Sequence, residues 1–384
     1  MDFIEEELEK IKKNQIYRKI FGIRNRNDNM HIEIDGIKYI DFSSNDYLNL
    51  SNHPEMVNVL IESAQKYGVG TGGSRLLGGG FELHNELENK IANFKLKEAA
   101  LFFNSGYQAN IGLIQALYKK GDVIFVDKLI HASIIDGIRL SGIDFFRFKH
   151  NDIDDLKSKL EKNRENFKRT LIITESVFSM DGDIANLCEI AKLKDKYDFQ
   201  IFVDEAHATG IFGKNGSGIV EELDLIDKID FIMGTFSKAL GSFGAYIACQ
   251  KSYKEYLINK CRSFIFSTSL PLSIVSANIK SIDIIQNEPI RRIELKRKVN
   301  YIRNLFKKSN IKILGETQII PIILKDNKKA IKISEKLKDL GYWVQPIRYP
   351  TVPKNQARLR LSINFNHSDE ILEKFVEDCS KLIL

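Results

Sequence analysis

Two segments of the chain place ionisable side chains directly after an apolar run. QIFVDEAHATG ends its apolar run in Asp204 and Glu205, with His207 close behind, and FIMGTFSKALG ends in hydroxyl residues followed by Lys238. Ligands of open α/β sheets bind outside the carboxyl ends of the strands, so an acid and an amine there can meet one ligand. Lys238 has few charged neighbours, and a desolvated lysine is the amine that Schiff-base chemistry uses. Taken alone, Asp204 could equally cap a loop.

A third segment has the form of an anion site. FFNSGYQAN runs from an apolar stretch through Ser105, Gly106 and Tyr107 into a helical pattern. Backbone N–H groups at a helix N-terminus bind anions, and a glycine there lets a phosphate approach closely. Thr235 and Ser237, just before the lysine, add hydroxyl donors. A simple N-cap is the commoner explanation of the serine alone.

Two more segments carry polar residues after a strand-like run. In DKLIHAS, His131 stands before a helical pattern, where a flat imidazole can stack on an aromatic cofactor and assist proton transfer. In ESVFSMDGD, Ser179 follows a strand and offers a further hydroxyl. A lone histidine is more often structural, so its assignment depends on the other segments.

Together these segments match what pyridoxal 5'-phosphate (PLP) requires of a protein. The cofactor needs a lysine for its Schiff base, a carboxylate beside the pyridine nitrogen, a phosphate anchor and a partner for the ring hydroxyl. Lys238, Asp204, the turn at residues 105–107 and His207 supply these groups in that order. We therefore expect a PLP enzyme whose catalytic residues are Lys238, Asp204, His207 and His131.

The elements that must position these residues alternate between strand and helix from about residue 91 to 250. The strand candidates are Ala99–Phe103, Val123–Val126, Leu171–Glu175, Ile201–Val203, Phe231–Gly234 and Ala245–Cys249. The clearest helix candidates are Gln108–Tyr118, Ile153–Arg164 and Leu187–Tyr197. This alternation predicts a mostly parallel sheet with helices on both faces, and runs such as VIFVD are apolar enough for buried parallel strands.

The rest of the chain divides around this region. Residues 1–50 begin with a helix that carries Phe3, Ile4, Leu8, Ile11 and Ile16 on one side, followed by short strands. Residues 51–285 form the large α/β domain. A lysine-rich helix near Arg291–Ser309 then leads into a smaller α+β domain over residues 286–384.

Composition excludes several classes of function. The net charge of +6 is spread along 384 residues without a basic cluster, which argues against a nucleic-acid partner. No apolar run is long enough to span a bilayer, and the N-terminus lacks the apolar region of a secretory signal. The four cysteines lie far apart, so neither disulfides nor a metal site is expected. A cytoplasmic protein is expected.

Two features outside these segments allow alternatives. GVGTGG at residues 68–73 formally matches a dinucleotide fingerprint but follows a helical stretch, so a substrate-side loop is the better interpretation. Arg75 in that loop could contact substrate or lie at the surface. His84 stands among acids in FELHNELENK, where a solvated helix face is favoured over a metal site.

The motifs taken together resemble the α-oxoamine synthase family of fold-type I PLP enzymes over nearly the whole chain. They are DFSSNDYLNL (41–50), GTGGSRLLGG (70–79), SGYQAN (105–110), DKLIHAS (127–133), ESVFSMDGD (175–183), VDEAHATG (203–210), TFSKALG (235–241), FSTSLP (266–271) and PTVPKNQARLRLS (350–362). The resemblance implies the aminotransferase class I/II fold, with a seven-stranded, mostly parallel sheet, and a homodimer with shared active sites.

The resemblance also implies a reaction and its substrate residues. The final motif and the chain length favour condensation of L-alanine with a pimeloyl thioester of coenzyme A or of a carrier protein, with loss of CO2, in biotin biosynthesis. Arg360 matches the family residue that holds the amino-acid carboxylate, and Thr268 matches one that reaches the phosphate across the dimer interface. The other matched substrate positions are Arg18, Asn45, Arg348 and Thr351. For Arg18, a surface arginine is an equally good explanation.

Other functions remain open from the sequence. Sister enzymes such as 2-amino-3-ketobutyrate CoA ligase use glycine, and others use serine, with different acyl-CoA substrates and the same cofactor residues. A non-catalytic protein on the PLP fold is the alternative from a different class, although four intact catalytic positions argue against it. A nicotinamide-dependent dehydrogenase would need the glycine pattern to follow a strand.

Overall fold

The computed structural model describes residues 2–26, 28 and 30–384 of the chain. These residues form two compact units. The large unit comprises Leu50–Phe178 and Ile184–Arg292, and the small unit comprises the residues up to Asn49, Ser179–Asp183 and Ile293–Leu384. Among the described residues, no helix combines the length and the apolar character needed to cross a lipid bilayer. The three-part division at residues 50 and 285 stays a prediction.

The large unit contains one seven-stranded sheet. Its strands are β4 (Ala99–Phe103), β5 (Val123–Asp127), β6 (Asp144–Phe148), β7 (Thr170–Glu175), β8 (Gln200–Asp204), β9 (Phe231–Thr235) and β10 (Ala245–Cys249). Their order is β4-β10-β9-β8-β7-β5-β6, and only β10 runs antiparallel to its neighbours. The predicted mostly parallel sheet is confirmed.

Every residue of β4, β5, β7, β9 and β10 is buried, as expected of strands that are covered on both faces. The helices of this unit are α2 (Pro54–Tyr67), α3 (Glu82–Lys95), α4 (Gly106–Leu117), α5 (Ala132–Ser141), α6 (Ile153–Asn163), α7 (Leu187–Lys194), α8 (Ile219–Glu222), α9 (Lys251–Lys260), α10 (Arg262–Ile265) and α11 (Leu272–Asn287). A 3-10 turn, Arg164–Asn166, follows α6. Helix α12 (Ile290–Lys308) begins in this unit and ends in the small one.

The small unit contains two small sheets. Strands β1 (Ile23–Asn25), β2 (His31–Ile34), β3 (Ile37–Asp41) and β12 (Tyr342–Trp343) form one sheet. Strands β11 (Ile319–Lys325), β14 (Ala357–Ser362) and β13 (Pro346–Ile347) form the other. The remaining helices are α1 (Phe3–Lys13), α13 (Asn327–Asp339) and α14 (Asp369–Ile383).

The N-terminal helix differs from its prediction at one end. It stops at Lys13, and Gln15 adopts a left-handed backbone with φ of 57°, so Ile16 lies beyond the helix and not on its apolar side. Phe3 and Ile4 on that side are 70% and 54% exposed. The apolar side of α1 is therefore largely uncovered within the chain.

Candidate active site

The sheet of the large unit brings the predicted catalytic residues to the carboxyl ends of adjacent strands. Asp204 is the last residue of β8, and β9 ends at Thr235, three residues before Lys238. The turn that carries the lysine closes when the N–H of Gly241 donates to the carbonyl of Lys238 at 2.9 Å. Gly241 has a φ of 65°, and a Cβ there would lie 2.4 Å from the nitrogen of Ser51. Only glycine fits this turn without strain.

Lys238 and His207 are in direct contact. The Nζ atom of Lys238 lies 2.9 Å from Nε2 of His207, and the lysine is half-buried while the histidine is buried. Parallel pairing of β8 with β9 sets this approach, because both side chains follow the same ends of neighbouring strands. The amine and the imidazole are thus placed to share one ligand.

Asp204 and His131 are joined by a chain of hydrogen bonds through two other residues. Asn110 Nδ2 on α4 donates to Asp204 Oδ2 at 3.1 Å and to Ser133 Oγ at 2.9 Å. Ser133 Oγ on α5 lies 2.8 Å from His131 Nδ1. The other carboxylate oxygen, Oδ1, accepts from the backbone N–H of Ala206 at 2.9 Å. Both side chains are thereby fixed in orientation by neutral donors.

The imidazole of His131 favours its neutral form. Surrounding protein atoms desolvate the ring and lower the pKa of His131 below its ordinary value, although the residue as a whole retains solvent exposure. The charge of Asp204 opposes this shift, and the charge of Lys238 adds to it. A neutral ring is the form that can both stack on a flat ligand and accept a proton.

The predicted anion site forms at the start of α4. Ser105 is its N-cap, with Oγ accepting from Gln108 N at 3.3 Å. The N–H groups of Gly106 and Tyr107 begin the helix and have no acceptor within it. The phenol of Tyr107 turns elsewhere and donates to Asp136 Oδ2 at 2.6 Å. The anion contacts available from Tyr107 therefore come from its backbone.

The two hydroxyl groups before Lys238, those of Thr235 and Ser237, already take part in hydrogen bonds within the protein. Thr235 Oγ1 donates to the carbonyl of Gly244 at 2.9 Å and lies 2.7 Å from Ser237 Oγ. Thr235 accordingly orients Ser237, whose side chain is exposed. Thr268 is also exposed, and its carbonyl accepts from Asn104 Nδ2 at 2.8 Å, next to the Ser105 turn.

In the small unit, Arg360 is held by polar groups of three segments. Its Nε donates to the carbonyl of Ser179 at 2.6 Å, and its Nη1 donates to Ser362 Oγ at 2.9 Å. Nη2 donates to Asn45 Oδ1 at 3.2 Å and to Tyr47 Oη at 3.3 Å. None of these four acceptors is a carboxylate, so the guanidinium is fixed while its charge remains available to an anionic ligand.

The neighbouring Arg358 is a useful contrast. Its Nη1 forms an ion pair with Asp181 Oδ1 at 2.7 Å, which neutralises its charge within the protein. Of the two arginines in β14, only Arg360 has the features of a substrate-binding group.

A cavity of about 530 Å³ in the small unit is lined by the remaining predicted substrate residues, Arg18, Arg348 and Thr351. Arg18 Nη2 donates to Thr351 Oγ1 at 3.0 Å. Arg348 donates to the carbonyls of Gln15 at 2.7 Å and Tyr17 at 3.2 Å. Burial, with the adjacent charge of Arg18, lowers the pKa of Arg348 below its ordinary value.

Of two further polar residues noted in the sequence, His84 differs from its prediction. His84 does not lie on a solvated face: it is fully buried, its Nδ1 accepts from Phe81 N, and its Nε2 faces the carbonyl of Leu270 at 3.3 Å. The acidic residues around His84 had suggested a solvated helix face, and that prediction is wrong. Arg75 is held by Glu88 at 2.9 Å and Asn85 at 3.2 Å, which fastens its loop to α3. The described residues contain no cluster able to hold a metal ion.

Sequence reasoning missed four residues that orient the predicted site residues. Asn110 and Ser133 connect the carboxylate to the imidazole, and Tyr47 and Ser362 hold Arg360. All four belong to motifs already noted, SGYQAN, DKLIHAS, DFSSNDYLNL and ARLRLS. Each of the four is a polar residue at a position of its motif that faces the core, and this feature could have identified it from the sequence.

Comparison with known proteins places this geometry in a family. The family model described as aminotransferase class I and II matches residues 37–378. The chain belongs to this family. A curated relative named 8-amino-7-oxononanoate synthase, from Thermoanaerobacter pseudethanolicus, is 42% identical over 388 residues, covering 100% of this chain and 97% of the relative.

Solved structures agree on the fold. A serine palmitoyltransferase from S. paucimobilis, a structure with bound PLP, superposes with a TM-score of 0.93 at 30% identity, covering 99% of this chain and 96% of that one. An 8-amino-7-oxononanoate synthase from Francisella tularensis superposes with a TM-score of 0.78 at 32% identity, covering 89% of this chain and 97% of that one. The fold is that of a fold-type I PLP transferase.

The residues present fit that cofactor. Among the described residues, the donors to the carboxylate of Asp204 are neutral, so its charge can balance a protonated pyridine nitrogen. The free N–H groups at the start of α4 suit a phosphate, and Lys238 offers a primary amine with His207 beside it. The cofactor of this family member is PLP.

Proposed function

We propose that the chain condenses L-alanine with a pimeloyl thioester and releases CO2, which is the reaction of the 8-amino-7-oxononanoate synthases of biotin biosynthesis. The observation that carries this proposal is the contact between Lys238 and His207 beside Asp204, in a chain 42% identical to a relative of that name. PLP supplies an aldehyde carbon for the amine and a ring that accepts electrons from the α-carbon.

The roles of the large-unit residues follow from their contacts. Lys238 would hold the cofactor through its amine, and the same amine, fixed beside His207, could accept and return the α-proton of the amino acid. Asp204, oriented by Asn110, would keep the ring nitrogen of the cofactor protonated, and His207 would bind its ring hydroxyl. His131, in its neutral form, would lie against the ring. The 105–107 turn, with Thr235 and Ser237, would hold the phosphate.

The small-unit residues bind the two substrates in this proposal. Arg360 grips the alanine carboxylate through the guanidinium that Asn45 and Ser179 orient. Arg18 and Arg348 provide positive charge in the 530 Å³ cavity for the distal carboxylate of the pimeloyl chain, with Thr351 holding Arg18 in place. The thioester carrier is coenzyme A or a carrier protein.

A cytoplasmic homodimer is part of the same proposal. Uncovered apolar side chains support a subunit interface: Phe3 is 70% exposed, Leu77 86% and Phe266 71%. Thr268 lies two residues after Phe266, and in a dimer we expect it to reach the phosphate of the other subunit. Size measurement of the holoprotein by light scattering tests this directly.

The sister reactions are the second candidate, favoured by the higher TM-score to serine palmitoyltransferase. The test is a matrix of L-alanine, glycine and L-serine against pimeloyl-CoA, a pimeloyl carrier protein, acetyl-CoA and palmitoyl-CoA, with CO2 and free thiol measured. We expect the highest kcat/KM with L-alanine and a pimeloyl thioester. Faster turnover of glycine with acetyl-CoA, or of L-serine with palmitoyl-CoA, would reassign the enzyme to a sister activity.

A further inference from the structure

Glu205 lies between Asp204 and His207 in the chain but takes no part in the site described above. Its side chain is buried, and its Oε2 lies 2.8 Å from the Nζ atom of Lys95, whose side chain has no solvent exposure. Its Oε1 accepts from the backbone N–H of Val220 at 2.9 Å. The side chains of successive residues in an extended chain point to opposite sides, so those of Asp204 and Glu205 lie in different environments.

Lys95, the last residue of α3, connects the segments on which the site is built. Its ammonium group donates to Thr209 Oγ1 at 3.1 Å and to the carbonyl of Ser217. Thr209 Oγ1 in turn lies 3.3 Å from the hydroxyl of Tyr246 on β10. One buried ammonium group thus contacts Glu205 and Thr209, which lie on either side of His207 in the chain.

Two glycines allow close packing around this ion pair. A Cβ on Gly218, which has a φ of 143°, would lie 2.3 Å from Glu205 Oε2. A Cβ on Gly234, in the strand that leads to Lys238, would lie 2.2 Å from the hydroxyl of Tyr246. The two glycines therefore leave space for the carboxylate of Glu205 and the hydroxyl of Tyr246, because a Cβ at either position would overlap with these groups.

Lys95 keeps its positive charge in this environment. Burial alone would lower the pKa of Lys95, but the carboxylate of Glu205, with Tyr246, raises it above its ordinary value. A buried ion pair is a poor way to gain stability, because apolar residues of similar volume often stabilise a protein as well or better. Its use here points to orientation of the backbone and not to stability alone.

We propose that the Lys95–Glu205 ion pair positions the cofactor-binding groups by holding residues 204–209 so that Asp204 and His207 face Lys238. Lys95 and Glu205 are positioning residues, because neither contacts the groups assigned to the ligand. The inference rests on the proposed cofactor site. It adds that the affinity for PLP depends on a charge pair outside that site.

The test uses PLP titration of cofactor-free protein, followed by visible absorbance, together with urea unfolding. The variant Lys95→Met/Glu205→Gln removes both charges and keeps the acceptor for Val220. It also leaves the buried carbonyl of Ser217 without the Lys95 donor, so we expect it to fold with a lowered free energy of unfolding. We expect its PLP affinity to fall roughly tenfold to a hundredfold, as when a group that orients a ligand-binding side chain is lost. The pH midpoint of the visible band should also move.

Lys254→Met is the matched control. It removes a lysine that contacts another buried carboxylate, Glu88, at 2.8 Å, away from residues 204–209. It should lower stability and leave both PLP affinity and the pH midpoint unchanged. If the double variant binds PLP within twofold of the wild type with the same midpoint, the proposal is wrong and the pair is structural. If the wild type itself does not bind PLP, the proposed function fails first.

Discussion

Replacing Asn110 by leucine tests the hydrogen-bond chain that orients Asp204. The side chain is 1% exposed, and leucine is close to it in volume, so packing changes little. The change removes the Nδ2 donor that lies 3.1 Å from Asp204 Oδ2 and 2.9 Å from Ser133 Oγ. Asp204 keeps its bond from Ala206, and Ser133 keeps its contact with His131.

The magnitude follows from the kind of bond that is lost. A hydrogen bond to a charged group contributes about 1.5–3 kcal/mol, and a tenfold change in an equilibrium constant corresponds to about 1.36 kcal/mol. If the bond to Asp204 reaches its full strength only when the cofactor is bound, PLP affinity should fall about 10-fold to 150-fold. The bond to Ser133 does not involve the cofactor, and its loss should lower the free energy of unfolding of the cofactor-free protein by about 0.5–1.5 kcal/mol.

The assay is PLP titration of cofactor-free Asn110→Leu at fixed pH, with urea unfolding in parallel. Asn278→Leu is the control, because Asn278 is equally buried and its Nδ2 donates to the carbonyl of Phe243, at 2.9 Å, and not to Asp204. The reasoning is refuted if both variants lose similar stability and both bind PLP within twofold of the wild type.

Three further changes probe other parts of the structure. Arg360→Lys should raise the KM for L-alanine about tenfold or more, since the bidentate grip is lost, whereas Arg358→Lys should leave that KM within about twofold. Burial lowers the pKa of His367 to about 3, so the unfolded chain binds a proton below about pH 6.5 that the folded chain does not. Stability should therefore fall on acidification, by about 2 kcal/mol from this group between pH 7.5 and pH 5, and urea unfolding of His367→Gln should show a smaller fall. Gly241→Ala should lower both the unfolding free energy and the cofactor content, because the turn behind Lys238 has a φ of 65°; unchanged cofactor content would contradict the role given to that turn.

The sequence was informative where local pattern and function coincide. Apolar runs that end in polar residues located β8 and β9 and, with them, Asp204 and Lys238. The parallel pairing of those strands then required the side chains at their ends to be neighbours. Strand alternation could also have separated Glu205 from Asp204, because adjacent residues in a strand face opposite sides.

The remaining features of the site and core could not be predicted from the sequence, because they depend on contacts between segments that are far apart in the chain. Asn110 and Ser133 meet only because α4 packs against α5, and no spacing along the chain shows that contact. His84 and His367 lie in polar stretches yet are fully buried, each with a backbone carbonyl as partner. Lys95 pairs with a carboxylate 110 residues away, which no periodicity indicates.

The central claim is that Lys238 carries PLP, and reduction of the holoprotein with borohydride tests it most directly. Reduction fixes the cofactor to the amine that holds it, and mass spectrometry of the proteolysed protein then identifies the modified residue. We predict a phosphopyridoxyl group on Lys238, and none on the Lys238→Ala variant. Modification of a different lysine, or no modification of a holoprotein that shows the visible cofactor band, would contradict the account.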